Sequence, residues 1–210
     1  MARWGLVAGG PFSELPLMFE AYAGIDSGAV AILEKGLELD LAVGDFDSVS
    51  AADIKEIRTA AQTFVGLDSD KDDTDLEMGL KAIFQRDPNA HVTVYGALGG
   101  RMDHSLSSIF LPSHPDLAPF MQQIQLVDEQ NVIIFRPKGQ QVITPLAGYT
   151  YVGFLLEGQG QGQLTIEGAK YDLSASRYFK RKIYGSNEFL GLPISVTVPD
   201  GYLVVVYSKD

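Results

Sequence analysis

Two short motifs concentrate the acidic chemistry of this chain: Gly44-Asp45-Phe46-Asp47-Ser48 and Lys71-Asp72-Asp73-Thr74-Asp75. Carboxylates packed this densely repel one another. They are tolerated mainly where a divalent cation neutralises them or where all of them reach water. The first motif follows the apolar run Leu41-Ala42-Val43, which reads as a buried strand. Asp45 and Asp47 then fall near the strand's C-terminal end, where open α/β sheets take their ligands. Two Asp one residue apart both reach one ion if the backbone turns between them, and such hard oxygens suit Mg²⁺. The competing reading is a polar turn in which Asp47 or Ser48 contributes a helix cap.

The second motif is partly structural. Thr74 and Glu77 have capping-box spacing, and Asp75 is favoured in a helix's first turn. Between residues 68 and 77 stand six acidic side chains and one Lys. That leaves Asp72 and Asp73 beyond what capping requires, either as ligands or as a solvated acidic loop. A third motif is Gly99-Gly100-Arg101-Met102-Asp103-His104. Gly-Gly permits close backbone approach, and Arg101 offers a planar donor fork to a phosphate. The plainer alternative is a βα turn carrying an Arg–Asp surface pair. His104 reads as a turn anchor or cap, and His91 and His114 as structural or exposed. Neither a G-x-x-x-x-G-K-[ST] loop nor G-x-G-x-x-G occurs.

These motifs need a frame to bring them together. Up to about residue 128 the pattern alternates strands with helices. Strands are predicted over residues 4–8, 22–25, 41–43, 63–67, 91–95 and 124–127. Helices are predicted over 27–35 (Ser27 as cap, Gly36 as C′ residue), from Ser50 with Asp53 three residues on, over 74–86 and over 104–111. In the 74–86 helix Leu76, Leu80, Ile83 and Phe84 share one face. Alternation of this kind predicts a mostly parallel, Rossmann-like sheet covered on both faces.

Beyond residue 129 the helices cease. Short strands are predicted over 131–135, 141–143, 149–156, 163–166, 169–173, 195–198 and 202–207, with Gly158-Gln159-Gly160-Gln161-Gly162 as a hairpin loop. That pattern predicts a small antiparallel β-sandwich or barrel. The expected division is an α/β domain over 1–128 and a β domain over 129–210.

Composition narrows the function. The chain has 210 residues, a net charge of −11 and no Cys. Such a balance argues against a nucleic-acid surface but not against a nucleotide substrate, since Mg²⁺ mediates between carboxylates and phosphates. Disulfides, thiolate catalysis and Cys-based zinc sites are excluded. No stretch is long and apolar enough for a membrane span, and residues 1–10 read as a strand and turn, not a signal peptide. A cytoplasmic location is the default expectation.

In their order, the motifs Gly-Asp-Phe-Asp-Ser, Lys-Asp-x-Thr-Asp-x-Glu, Gly-Gly-Arg-x-Asp-His and Gly185-Ser186-Asn187-Glu188 resemble the thiamine pyrophosphokinase family, in its compact bacterial form. The similarity spans nearly the whole chain. It implies transfer of the pyrophosphoryl group of ATP to the thiamine hydroxyl with release of AMP, a homodimer, and Mg²⁺ as cofactor. It implies metal ligation by Asp45, Asp47, Asp72 and Asp75, and catalytic roles for Asp72, Asp75, Arg101 and Asp103. Nucleotide contacts are implied for Asp26, Gly44, Asp45, Lys71, Thr74 and Arg101, and thiamine contacts for Asp47, Ser186 and Asn187. The first domain would then bind ATP and Mg²⁺, and the second would bind thiamine and dimerise. The chain departs from the family at Asp26-Ser27-Gly28-Ala29-Val30, where Asp-Gly-Gly-Ala-Asn is usual, and at Ser108, where Asn is common.

Phosphoryl attack needs positioning and charge neutralisation more than covalent help. Either Asp75 or Asp103 would accept or orient the thiamine proton. Two alternatives stand beside this one. An Asp-x-Asp phosphohydrolase would use Asp45 as nucleophile with Mg²⁺, and a non-catalytic thiamine or nucleotide binder would use the same cleft.

Overall fold

A computed structural model describes all residues except Ser69, Lys71 and Gln161. The chain divides into two compact units, Met1–Glu129 and Gln130–Asp210. Among the described residues, no helix is long and apolar enough to cross a membrane.

The first unit is built on six parallel strands: β1 (Arg3–Val7), β2 (Ala21–Ile25), β3 (Leu41–Gly44), β4 (Thr63–Gly66), β5 (His91–Tyr95) and β6 (Ile124–Val127). They lie in the order β6, β5, β1, β2, β3, β4. The order runs outwards from β1 in both directions, so the topological switch falls between β1 and β5. Among the described residues, four α-helices lie between the strands: α1 (Ser27–Glu34), α2 (Ala51–Ala60), α3 (Asp75–Arg86) and α4 (Met102–Ile109).

The two faces are covered separately. Val7, Tyr22 and Ala42 pack with Ala29 and Ile32 of α1 and Ile57 of α2 in one buried cluster. Side chains alternate along a strand, so Leu6 faces the other way. There α3 comes so close that a Cβ on Gly79 would meet Ile25 Cδ1 at 2.4 Å, with Leu6 Cδ1 at 3.7 Å. The result is the three-layer α/β arrangement that the alternation of elements implied.

Most caps follow their local chemistry. Ser50 accepts the Asp53 N–H, and Thr74 with Glu77 forms a complete capping box. Gly36, at φ 68°, ends α1 in the left-handed conformation that glycine adopts without strain. Helix α1 is a correction. Its N-cap is Asp26, not Ser27, and the Asp26 side chain makes no capping bond because it is directed elsewhere. Helix α4 also starts two residues earlier than expected, with Arg101 rather than His104 at its N-cap.

The second unit is antiparallel: β7 (Asn131–Ile143), β8 (Tyr151–Glu157), β9 (Thr165–Glu167), β10 (Ile183–Asn187) and β11 (Ile194–Ser208), ordered β10, β8, β11, β7 with β9 also on β11. Four expected short strands are in fact two long ones, β7 and β11. Residues 199–201 of β11 form an irregularity between Val198 and Tyr202 instead of ending the strand. Gly139 and Gly201, at φ 115° and 62°, supply the bend. Beyond it β11 pairs with β8, and before it with β9, which gives the sandwich-like form.

Three expectations fail here. Residues 169–173 are not a strand but carry isolated bridges at Ala169 and Leu173. Strand β10 went unread because Gly185-Ser186-Asn187 lacks strand formers. The glycine-rich stretch after Glu157, in which Gln161 lies outside the described residues, does not join a paired hairpin: among the described residues β8 and β9 each pair with β11.

Candidate active site

The C-terminal ends of β1, β2, β3 and β5 open into a cavity of about 660 Å³. Its walls are the loops after these strands, the first turn of α3 and one side of α4. Strand ends at a switch point leave such a crevice because the connections diverge there.

The floor is backbone. Ala8 donates its N–H to the Tyr95 carbonyl at 2.8 Å, and Gly10 donates to the Gly96 carbonyl at 2.9 Å. A Cβ on Gly10 would lie 2.3 Å from the Gly96 oxygen, and Gly96 itself sits at φ 70°. Only glycines let the two loops run this close. The β1–β5 pairing is what brings residues 9–11 to the cavity.

Three carboxylates meet above this floor. Single oxygens of Asp26, Asp45 and Asp75 lie within 4.8 Å of one another. Each is delivered by a different device. Asp26 follows β2 in a sparsely populated conformation, φ 50° and ψ −120°, and its Oδ1 accepts the Phe46 N–H at 3.1 Å. Phe46, also at positive φ (57°), turns its ring inward to stack on Phe64 at 4.9 Å. That inward anchor leaves Asp45 and Asp47, on either side of it, at the cavity. Asp75 is carried by the Thr74–Glu77 capping box, in which Glu77 accepts the Thr74 N–H at 2.7 Å.

Electrostatics follow from the crowding. Burial pushes the Asp26 carboxyl up to about 6; the Phe46 N–H opposes the shift, and the charges of Asp75, Asp45 and Asp47 add to it. A group that resists ionisation beside two other carboxylates is one that a hard divalent cation would neutralise. The all-oxygen donor set fits such an ion.

The other expected ligands fare differently. Asp47 lines the cavity but stands outside the three-carboxylate group, and its N–H donates to Asp45 Oδ1 at 3.1 Å. Asp72 is exposed and does not line the cavity, because the chain reaches α3 only at Thr74. Its expected place at the metal and the reacting groups has no counterpart among the residues that line this cavity. Asp73 is not surplus acid: it binds Lys81 at 2.6 Å and His114 Nε2 at 3.1 Å, tethering the start of α3. Lys71 lies outside the described residues. Thr74 lines the cavity as well as capping α3, and Gly44 ends β3 against the Asp26 carboxylate.

Arg101 lines the cavity and is 73% exposed on its side chain, paired with Asp103 through Nη2–Oδ2 at 2.6 Å. The Arg101 hydrogen bond holds the Asp103 carboxyl down to about 2. Asp103 itself does not line the cavity. Of the two expected proton acceptors, Asp75 lines the cavity and Asp103 is paired with Arg101. His104, Ser107 and Ser108 of α4 line it as well, unforeseen as a group. Their i, i+3, i+4 spacing was the available signal.

In the second unit, Asn187 is 2% exposed and its side chain is occupied. Oδ1 accepts the N–H groups of Tyr171 and Glu188, and Nδ2 donates to the Tyr171 carbonyl at 2.8 Å. It therefore clamps the backbone of Tyr171, a residue that is 58% exposed. Ser186 is exposed, at φ 54°.

Comparison with known proteins adds to this geometry. A model of the thiamin pyrophosphokinase catalytic domain matches residues 18–125, and one of the thiamin pyrophosphokinase vitamin B1 binding domain matches residues 138–203. Thiamine pyrophosphokinase of Bacillus subtilis (strain 168) is 29% identical over 217 residues, covering 100% of both chains. Among solved structures, a thiamin pyrophosphokinase family protein from Enterococcus faecalis is 33% identical, with a TM-score of 0.90 over 100% of each chain. Thiamin pyrophosphokinase from Geobacillus thermodenitrificans is 27% identical, with a TM-score of 0.79 over 99% of this chain and 98% of its own.

Proposed function

The chain belongs to the thiamin pyrophosphokinase family, and on that premise we propose how its residues carry out the transfer of a pyrophosphoryl group from ATP to thiamine. The observation that carries the proposal is the convergence of Asp26, Asp45 and Asp75 in a cavity that Arg101 also lines. Neither the phosphohydrolase nor the non-catalytic alternative is favoured by the family.

Asp26, Asp45 and Asp75 would hold Mg²⁺. Bound there, the ion supplies charge neutralisation to the polyphosphate and lets it enter an acidic site. The glycine-rich loops after β1 and β5 admit the phosphates against bare backbone. Arg101, able to exchange Asp103 for a phosphate, balances the charge that develops as AMP departs. Asp47, which lines the cavity outside the three-carboxylate group, orients the thiamine hydroxyl, and Asp75 or Asp103 takes its proton. The hydroxyl oxygen bonds to the β-phosphorus, and the bond from that phosphorus to the α-bridging oxygen breaks.

In the second unit, Asn187 fixes Tyr171 as an exposed aromatic platform, which suits a flat cationic ring system. Ser186 offers a hydroxyl from β10. A homodimer in the cytoplasm belongs to the same proposal. The net charge of −11 favours attraction of cationic thiamine.

The test is product analysis with ATP, Mg²⁺ and thiamine. AMP and thiamine diphosphate in equal amounts are expected. Stoichiometric ADP, or ATP breakdown indifferent to thiamine, would overturn the proposal.

A further inference from the structure

Asp73 stands one residue before Thr74, the N-cap of α3, and two before Asp75. Both of its oxygens are engaged. Oδ2 accepts from the Lys81 ammonium at 2.6 Å, and Oδ1 accepts from His114 Nε2 at 3.1 Å. Lys81 lies about two turns into α3, so its bond draws the entering chain down along the side of the helix. Lys81 also reaches Asp116 Oδ2 at 3.3 Å. The side chains of Lys81, His114 and Asp73 are 15%, 18% and 27% exposed, so solvent and salt screen these contacts less than surface pairs.

His114 is held by its own segment. Its carbonyl accepts the N–H groups of Leu117 and Ala118 at 3.0 and 2.9 Å, and its Nδ1 accepts the Asp116 N–H at 3.1 Å. A backbone N–H can only donate, so Nδ1 carries no proton and Nε2 is the donor to Asp73. Leu111 and Leu117, on either side of His114, are fully buried and anchor the segment. It continues directly from α4, because Phe110 both ends α4 and opens the 3₁₀ turn Leu111–Ser113. The two elements joined in this way both wall the cavity. Helix α3 lines it through Thr74 and Asp75, and α4 with its continuation lines it through Arg101 and Leu111. The Thr74–Glu77 box shapes the first turn of α3 internally, but it does not set where that turn stands relative to α4.

We propose that Asp73, Lys81 and His114 are positioning residues for the pyrophosphoryl transfer. Together they lock the start of α3 to the segment after α4, and so hold Asp75 in place beside Asp26 and Asp45. The lock rests on the assignment of those three carboxylates to Mg²⁺ made above. Outer partners that orient metal ligands change metal affinity by about ten- to a hundredfold when they are removed. A pure field effect has a different signature. Deleting the Lys81 cation would strengthen the attraction of an acidic site for Mg²⁺, whereas breaking the lock weakens binding. At His114 the ring donates without carrying a charge, so its loss leaves the field unchanged.

The experiment is calorimetric titration of the full chain with Mg²⁺ alone, with thermal melts, on wild type, Asp75→Asn, His114→Ala, His114→Gln, Lys81→Met and Phe120→Leu. Phe120 stacks on Phe84 at 4.3 Å towards the other end of α3, so Phe120→Leu loosens that helix without touching the lock. His114→Ala and Lys81→Met should each bind Mg²⁺ about tenfold more weakly than wild type. His114→Gln, whose amide replaces the Nε2 donor, should return to within about threefold. Phe120→Leu should melt lower but bind Mg²⁺ within about twofold of wild type. Wild-type affinity in His114→Ala, or unchanged or tighter binding in Lys81→Met, overturns the lock. So does an equal weakening in Phe120→Leu, which marks general loosening of α3. A wild-type chain that takes no Mg²⁺, or an Asp75→Asn variant that takes it unchanged, overturns the three-carboxylate assignment itself and is seen before the other variants are compared.

Discussion

Gly44 lacks a side chain where Asp26 needs the space: a Cβ at Gly44 would lie 1.9 Å from Asp26 Oδ1. The same oxygen accepts the Phe46 N–H. The end of β3 and the end of β2 are therefore fitted to each other through one carboxylate, and Gly44 at φ 155° completes the fit.

Gly44→Ala should displace Asp26 and strain the backbone together. A residue forced into such a conformation costs on the order of 1–3 kcal/mol. We expect a lowered melting temperature and at least about a hundredfold loss of turnover. Calorimetry with a thiamine-dependent AMP assay checks both. Wild-type turnover in Gly44→Ala would show that Asp26 need not be held in place.

Asp26 should make metal-free stability depend on pH. Its folded value of about 6 lies above the ordinary 3.8. Between those values the folded state binds a proton that the unfolded state does not, so this group's contribution falls as pH rises through 6. Asp26→Asn removes that penalty and keeps an acceptor for the Phe46 N–H. Without metal, the variant should exceed wild type by on the order of 1 kcal/mol at pH 7.5, discounted for partial exposure, and match it near pH 4. With saturating Mg²⁺ the order should reverse. Denaturant titrations at both pH values measure the difference.

Asp75 and Asp72 should part company. Asp75→Asn removes a member of the three-carboxylate group and should reduce turnover by orders of magnitude. Asp72 is exposed and does not line the cavity, so Asp72→Asn should stay within several-fold of wild type. Equal losses in the two variants would return Asp72 to the site.

Thr74→Ala opens the capping box and should cost about 1 kcal/mol of stability. Because the box carries Asp75, turnover should fall more than the KM for thiamine changes. Thr74→Ser, which restores the hydroxyl, should recover both. Thermal melts and steady-state kinetics on the two variants test this.

Asn187→Ala should act through Tyr171. The buried amide serves both backbone groups of Tyr171. Its removal and Tyr171→Ala should each raise the KM for thiamine about tenfold or more while leaving that for ATP within about twofold. Their combination should be markedly less than additive, since both act on one platform. Additive effects in the double-mutant cycle would separate the two residues.

Local chemistry was readable without coordinates. Alternating apolar runs and caps marked the α/β part, because hydrogen-bond capping and burial periodicity operate within one or two helical turns. Ser50 with Asp53, Thr74 with Glu77 and Gly36 all behave as their spacing implied. The order of motifs likewise carried the family, since each stands at a strand end or helix start.

What the chain alone left undecided is which residues converge. Asp26 stands 19 positions before Asp45 and 49 before Asp75, yet all three offer oxygens to one point. The parallel order β1, β2, β3 aligns these strand ends, and no local pattern encodes that order. Composition could not separate Asp73, bound by Lys81 and His114, from Asp75, since the His114 contact spans 41 residues. Nor could it show that Pro199-Asp200-Gly201 bends one strand instead of ending it, because partner strands on both sides hold β11 through the bend. Sequence determined the inventory of chemical groups and their local frames. Tertiary structure decided which groups share a cavity, because only long-range strand pairing sets distances between them.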